Sequence, residues 1–140
     1  MRIVLAVDGS PASTRAARHV ASLYRQLAEK PEVIALHVDE PLLRSVAMAL
    51  GTQGVDRYHA DNGKHALKGA KPVLTRAGIS FTEKVLVGDP AQTIVKFIKS
   101  SKCDQLVMGS HGRGAFKNLV LGSVATKILS QCDVPVTIVR

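Results

Sequence analysis

From end to end, short apolar runs alternate with stretches whose apolar residues recur every three or four positions. The runs are "RIVLAV" (2–7), "EVIALHV" (32–38), "ISFTEKVLVG" (79–88), "DQLVMG" (104–109) and "VPVTIVR" (134–140). Between the first two, Ala17, Val20, Ala21, Tyr24, Leu27 and Ala28 share one face at a spacing of 3.6. Ser10 is the expected N-cap of that helix, Pro11 its first residue and Pro31 its stop. Residues 39–58 show no clean period and read as a loop with at most a helical turn. Residues 59–78 read as a helix that Pro72 should kink, with Gly78 at its C-terminus. Asp89 and Pro90 open another helix, whose apolar face is Ala91, Ile94, Val95 and Ile98. The last helix begins near Ser123 and carries Val124, Ala125, Ile128, Leu129 and Cys132. The predicted order is β-α-β-α-β-α-β-α-β. Apolar runs without strict alternation suit strands buried on both faces, as parallel strands are. Strands alternating with helices give an α/β doubly wound sheet.

At 140 residues the chain is expected to form one domain spanning 1–140, with no linker or internal repeat. Its three Phe, two Tyr and absent Trp leave the core to Val, Ile, Leu and Ala. The net charge of +8 favours anionic partners such as nucleotides or nucleic acid. The scarcity of aromatics argues against stacking on single-stranded bases, and no basic block forms a tail, so nucleic acid is not the expected partner. Cys103 and Cys132 follow no metal or redox spacing and read as small buried hydrophobes. Asp8 interrupts the first apolar run before a signal-peptide core could form. No stretch approaches the ~20 apolar residues of a membrane span. The expectation is a cytoplasmic protein with no membrane partner.

The richest run of glycine follows the fourth strand: Gly109, Gly112, Gly114 and Gly122, leading into the last helix. Bare backbone ahead of a helix N-terminus suits a phosphate, because unpaired N–H groups and a partial positive charge sit there. In an open α/β sheet ligands bind beyond the carboxyl ends of the strands. That draws attention to Asp8-Gly9-Ser10, Val38-Asp39-Glu40, Gly88-Asp89-Pro90 and Gly109 onward. Two phosphate templates fail. No Lys precedes a Ser or Thr after a glycine, as a Walker loop requires, and "GRGAFK" (112–117) has only two glycines of GxGxxG.

What remains is Gly109, two residues, Gly112, nine residues, then Gly122-Ser123. This G-x2-G-x9-G-[S/T] pattern resembles the ATP-binding motif of the universal stress protein family. "IVLAVDGSPAS", "ALHV", "VLVGDPAQTIV", "DQLVMGSHGRG" and "CDVPVTIV" extend the resemblance over essentially the whole chain. It implies a Rossmann-like, adenine nucleotide alpha hydrolase-like fold with a five-stranded parallel sheet in the order 3-2-1-4-5, helices on both faces, and a homodimer. It also implies ATP as ligand, with Mg2+ as a candidate companion. By position, Asp8 would meet the ribose or adenine side, with Val7 beside it, and Val38 would meet adenine through its backbone. Gly109, Gly112, Gly122 and Ser123 would surround the phosphates, flanked by Met108 and Val124. Arg113 is a further candidate for a phosphate.

Each role has a plainer rival. For Asp8 the rival is bracing or capping of the first loop alone, and for Ser123 it is capping of its helix alone. His111 lacks a carboxylate or serine at a spacing that suggests a dyad, and reads as a solvent-facing loop residue rather than a catalytic one. Asp39, Glu40 and Asp89 are candidate metal ligands through water. The expected function is an ATP-binding module in stress response or regulation. The alternative is a slow ATPase or self-phosphorylating enzyme, although no dedicated base is visible. "VPVTIVR" is expected to be an edge strand, and pairing two such edges about a two-fold axis would cover them.

Overall fold

The structure, a computed structural model, describes residues 1–112 and 120–140. Its elements run β1 (Arg2–Ala6), α1 (Pro11–Gln26), β2 (Glu32–Asp39), α2 (Arg44–Leu67), α3 (Ala70–Arg76), β3 (Phe81–Val87), α4 (Pro90–Ser101), β4 (Gln105–Gly109), α5 (Ser123–Gln131) and β5 (Val136–Val139). All pairings are parallel, and the sheet order is β3-β2-β1-β4-β5. The α/β architecture and its 3-2-1-4-5 order are therefore as the sequence and its resemblance indicate.

β1 lies at the centre, and its alternate side chains feed two cores. Ile3, Leu5 and Val7 pack with Val33, Ala35 and Val107 under α1 and α3. Val4 and Ala6 pack with Leu36, Leu106 and Met108 under α4 and α5. Burying a Val, Leu or Ile side chain contributes roughly 1.5–3 kcal/mol, so a strand with apolar residues on both faces is held in place twice. The edge strand β3 departs from this pattern. Thr82, Glu83, Lys84, Val85 and Val87 are exposed, so the expectation of burial on both faces fails there. Its Glu83 pairs with Lys71 at 2.6 Å, and charge on an edge strand discourages stray pairing. Cys103 is buried as expected, whereas Cys132 is only half-buried.

The helices begin largely where the sequence marks them. The Ser10 hydroxyl accepts from the Ser13 N–H and caps α1, with Pro11 in the first turn, and Asp89 accepts from the Gln92 N–H and caps α4. α1 ends at Gln26, well before Pro31, because the Lys30 ammonium takes up the carbonyls of Tyr24 and Leu27 at 2.9 and 2.7 Å. The Pro72 kink does not occur. The chain breaks at Lys68-Gly69 instead, which places Pro72 in the first turn of α3, where its missing N–H has no helical partner in any case. Gly78 follows α3 with φ of 70°, the left-handed turn a glycine takes readily.

The largest correction is α2. Residues 44–67, mostly expected to be loop, are helical, in two segments that meet at Gly51 (φ 69°, ψ 171°). Only His59, Gly63, Ala66 and Leu67 of this helix are buried. An amphipathic stripe is the usual sequence signal for a helix, and α2 has none over its first half.

Gly109, at the end of β4, is required for packing. A Cβ there would lie 2.7 Å from the Ala12 Cβ and 2.8 Å from the Ala12 carbonyl carbon, in the first turn of α1. Gly109→Ala is expected to destabilise the fold by about 2 kcal/mol, as other overpacked sites do. A lower urea midpoint with an unchanged slope checks it. An unshifted midpoint would show that α1 does not rest on β4.

Candidate functional site

The chain leaves β1 toward β2 and β3 on one side and returns to β4 and β5 on the other. The carboxyl ends of β1 and β4 are therefore neighbours at the point where the order reverses, which is where open α/β sheets bind ligands. A cavity of about 1030 Å³ opens there. Of the ten residues the sequence singled out, Val7, Asp8, Val38, Met108, Gly109, Gly112, Gly122, Ser123 and Val124 all line it. Arg113 lies outside the described residues.

Four helices begin at this edge of the sheet, and their N-termini differ; α2 starts from Leu43, which has no capping side chain. Those of α1 and α4 are closed by the Ser10 hydroxyl and the Asp89 carboxylate. The N-cap of α5 is Gly122, which has no side chain to offer; Ser123 is the first helical residue rather than the cap. The Gly122 N–H is held by the Ser110 carbonyl at 2.7 Å, which fixes the entry of the chain into α5. Ser123, Val124 and Ala125, the first turn, line the cavity, and no acidic residue lies among them. An uncapped N-terminus carries orphan donors and the positive end of the helix dipole, so this end of the cavity suits an anion.

The glycines on the approach differ in purpose. A Cβ on Gly112 would come within 2.9 Å of the Asp8 Oδ2, so Gly112 lets the loop pass close to that carboxylate. A Cβ on Gly122 would meet the Ser110 carbonyl oxygen at an ordinary 3.4 Å, so the fold does not require glycine there. Gly109 lines the cavity and also receives α1.

Carboxylates also line the cavity: Asp8 after β1, beside Gly112, and Asp39 and Glu40 after β2, on the far side of β1 from β4. The Asp8 Oδ1 accepts from the Ser10 N–H at 2.9 Å and so braces the turn in which Gly9 takes φ of 80°. Its Oδ2 faces Gly112. Bracing and facing the cavity are thus compatible, one oxygen for each. Asp39 ends β2, and its Oδ2 accepts from His59 Nδ1 at 2.7 Å and from Asn62 Nδ2 at 2.8 Å, both on α2. Burial pushes the Asp39 carboxyl up, but the His59 and Asn62 hydrogen bonds and the nearby His37 and His59 charges outweigh it. Its pKa lies below the ordinary value of 3.8, and the group is a carboxylate at neutral pH. His37 donates from Nδ1 to the Val7 carbonyl at 2.8 Å, since a carbonyl can only accept. Its Nε2 lies 3.7 Å from the Asp39 Oδ1, beyond hydrogen-bond reach.

The Asp39–His59–Asn62 cluster is what sequence reading missed. It weighed Asp39 only as a metal ligand, and among the described residues no group of three His, Cys, Asp or Glu side chains is arranged to hold a metal. Asp89 is engaged in capping α4. The expectation for His111 also changes: it is partly buried, with Nδ1 2.8 Å from the Ser110 hydroxyl. Spacing did not reveal that contact because the partner is the adjacent residue.

Comparison with known proteins agrees with this geometry. The universal stress protein family model matches residues 1–140. Universal stress protein MJ0531 of Methanocaldococcus jannaschii is 30% identical over 99% of this chain and 81% of its own length. The solved structure of MJ0577 superposes with a TM-score of 0.80 at 26% identity, covering 99% of this chain and 94% of that one. A universal stress protein of Archaeoglobus fulgidus shares the fold at a TM-score of 0.73 and 24% identity, over 100% and 98% of the two chains. With its strand order, its glycine-lined cavity and a family match from first residue to last, this chain belongs to the universal stress protein family.

Proposed function

We propose that the chain binds an adenine nucleotide, ATP in particular, and acts as a nucleotide-dependent regulator in stress response. One observation carries this reading: the uncapped N-terminus of α5 opens on a cavity large enough for a nucleotide, with Asp39 and Glu40 at the β2 end. An anionic phosphate chain belongs at the first end and is repelled from the second. The nucleoside then lies toward Asp8, Val38 and Asp39. Solved relatives support the ligand class. The A. fulgidus protein was crystallised with dAMP, an Arabidopsis thaliana member with AMP (TM-score 0.70), and another universal stress protein with cAMP (TM-score 0.68). Arg113 is carried over as a phosphate contact by family position alone. A Mg2+ ion would be held mostly by phosphate oxygens and water, since Asp39 and Glu40 follow β2, across β1 from the α5 end assigned to phosphate.

Binding without turnover is the reading adopted. Ser110 is the hydroxyl that His111 reaches, and at 1% exposure it is poorly placed to receive a phosphoryl group. A slow ATPase or self-phosphorylation is the alternative, and mass spectrometry of protein incubated with ATP distinguishes the two. The +8 charge makes nucleic acid the least favoured partner rather than an absent one. The reading places the protein in the cytoplasm; no helix among the described residues is long and apolar enough to cross a membrane. We take residues 1–140 to act as one unit.

Gly122→Val is expected to keep the fold, because a Cβ there meets its neighbours at ordinary contact distances of 3.4–3.6 Å and its backbone (φ −73°, ψ 163°) suits any residue. The valine enters the space assigned to phosphate, and ATP affinity should fall about tenfold or more, equivalent to about 1.4 kcal/mol. Calorimetry on the folded variant measures it. Undiminished affinity would remove the phosphate from α5.

The proposed assembly is a homodimer through β5, a half-buried strand bonded to β4 along one side. Sedimentation equilibrium should return twice the 14.9 kDa chain mass. A single-chain mass across micromolar concentrations would refute it. Ile138 packs into the core beneath α5, so a charge placed there would disturb the fold as well as any interface.

A further inference from the structure

Asp39 is a cavity-lining carboxylate whose side chain is only 16% exposed, and its two oxygens are treated differently. Oδ2 receives two strong bonds, from His59 and Asn62. Among the described residues the side chain facing Oδ1 is His37, and 3.7 Å is too long for a hydrogen bond. His37 gives its Nδ1 proton to the Val7 carbonyl. Oδ1 is not sealed away from the cavity, so a ligand that covers it without offering a donor leaves a charged acceptor unpaired. The side chain cannot easily turn away, because two residues of α2 grip its other oxygen. His59 is itself held edge-on by Tyr58, with ring centres 5.2 Å apart. His59 is buried and does not line the cavity, whereas Asp39 does.

We propose that Asp39 determines ligand specificity: its Oδ1 accepts a hydrogen bond from a donor on the nucleoside, and His59 is the positioning residue that presents it. The inference rests on the nucleotide reading and deepens it. The donor is an N–H or O–H group at the nucleoside end, either the amino group of the base or a ribose hydroxyl. A phosphate is excluded by charge. A carboxylate that demands a donor rejects a ligand lacking one, because its own acceptor is then left unpaired.

The test measures binding of ATP, ITP, 2′-deoxy-ATP, 3′-deoxy-ATP and inorganic tripolyphosphate to four chains: wild type, Asp39→Asn, His59→Ala and His59→Asn. Asp39→Asn should weaken ATP about tenfold, the scale of one charged hydrogen bond. It should leave tripolyphosphate unweakened, since it removes a negative charge. The analogue that wild type disfavours and Asp39→Asn no longer distinguishes from ATP identifies the donor: ITP for the base amino group, a deoxy analogue for a ribose hydroxyl. His59→Ala should weaken ATP severalfold, and His59→Asn, whose amide nitrogen can stand where Nδ1 stood, should recover most of the loss. A merely structural role for His59 would shift the urea midpoint without changing the ranking of the analogues.

Unchanged ATP affinity in folded Asp39→Asn, or equal losses for ATP and tripolyphosphate, would overturn the proposal. If Asp39→Asn does not fold, equal ATP affinity in wild type, His59→Ala and His59→Asn would overturn it instead. A wild-type chain that binds none of the nucleotides would overturn the nucleotide reading itself, and the role of Asp39 with it.

Discussion

The cavity depends on β1 being held between β2 and β4 with apolar side chains on both faces. Its neighbours pair with it along nearly its whole length, Arg2 to Ala6 against Glu32 to Leu36 and Ile3 to Ala6 against Gln105 to Met108. The strand therefore stops abruptly, at the same level as β4, and the chain must turn at Asp8 while its neighbour turns at Gly109. Reversal of strand order on either side of β1 keeps the two departing chains from covering each other. The crevice between them follows from topology, whichever residues then line it.

Side chains decide what the crevice accepts. At four helix starts along one sheet edge, α1 and α4 have a capping oxygen, α2 has Leu43 and α5 has glycine. A cap of the Ser10 or Asp89 kind is worth about 1 kcal/mol to its helix. α5 forgoes it, although it is among the shortest helices and buries only Ala125 and Ile128. A fold under pressure for stability alone would have a cap at this position, since Gly122 has room for a Cβ and an unstrained backbone. An open helix end facing a cavity is better understood as a place kept free for an anion.

Most of the sheet and the glycine end of the site were legible because their signals are local. Ser10-Pro11 and Asp89-Pro90 announce helix starts through bonds made within three residues, and the apolar runs of β1, β2 and β4 announce burial on both faces. α2 was not legible, because what fixes it is not local. Asp39 and His59 are 20 residues apart, and the bond between them is polar, so no apolar period records it. Gly63 packs against Val85 so closely that a Cβ would sit 2.5 Å from a Val85 methyl, and only the folded sheet brings that pair together. β3 misled for a related reason: Val85, Leu86 and Val87 look like a buried run, yet the strand lies at the edge, where burial is set by topology.

The same non-local contacts give the cavity its polarity. Net charge of +8 would suggest a surface attractive to anions everywhere, yet Asp8, Asp39 and Glu40 gather at the carboxyl ends of β1 and β2. Spread along the cavity, these charges would repel a phosphate wherever it lay. With Asp39 and Glu40 toward β2 and the positive pole of α5 beyond β1, the cavity favours one direction for a nucleotide over the reverse. The hydrogen bonds of His59 and Asn62 matter here because they outweigh the burial of Asp39, holding its carboxyl below the ordinary value, and fix where that carboxylate sits. A helix the sequence barely signals therefore holds in place a charge on which orientation depends.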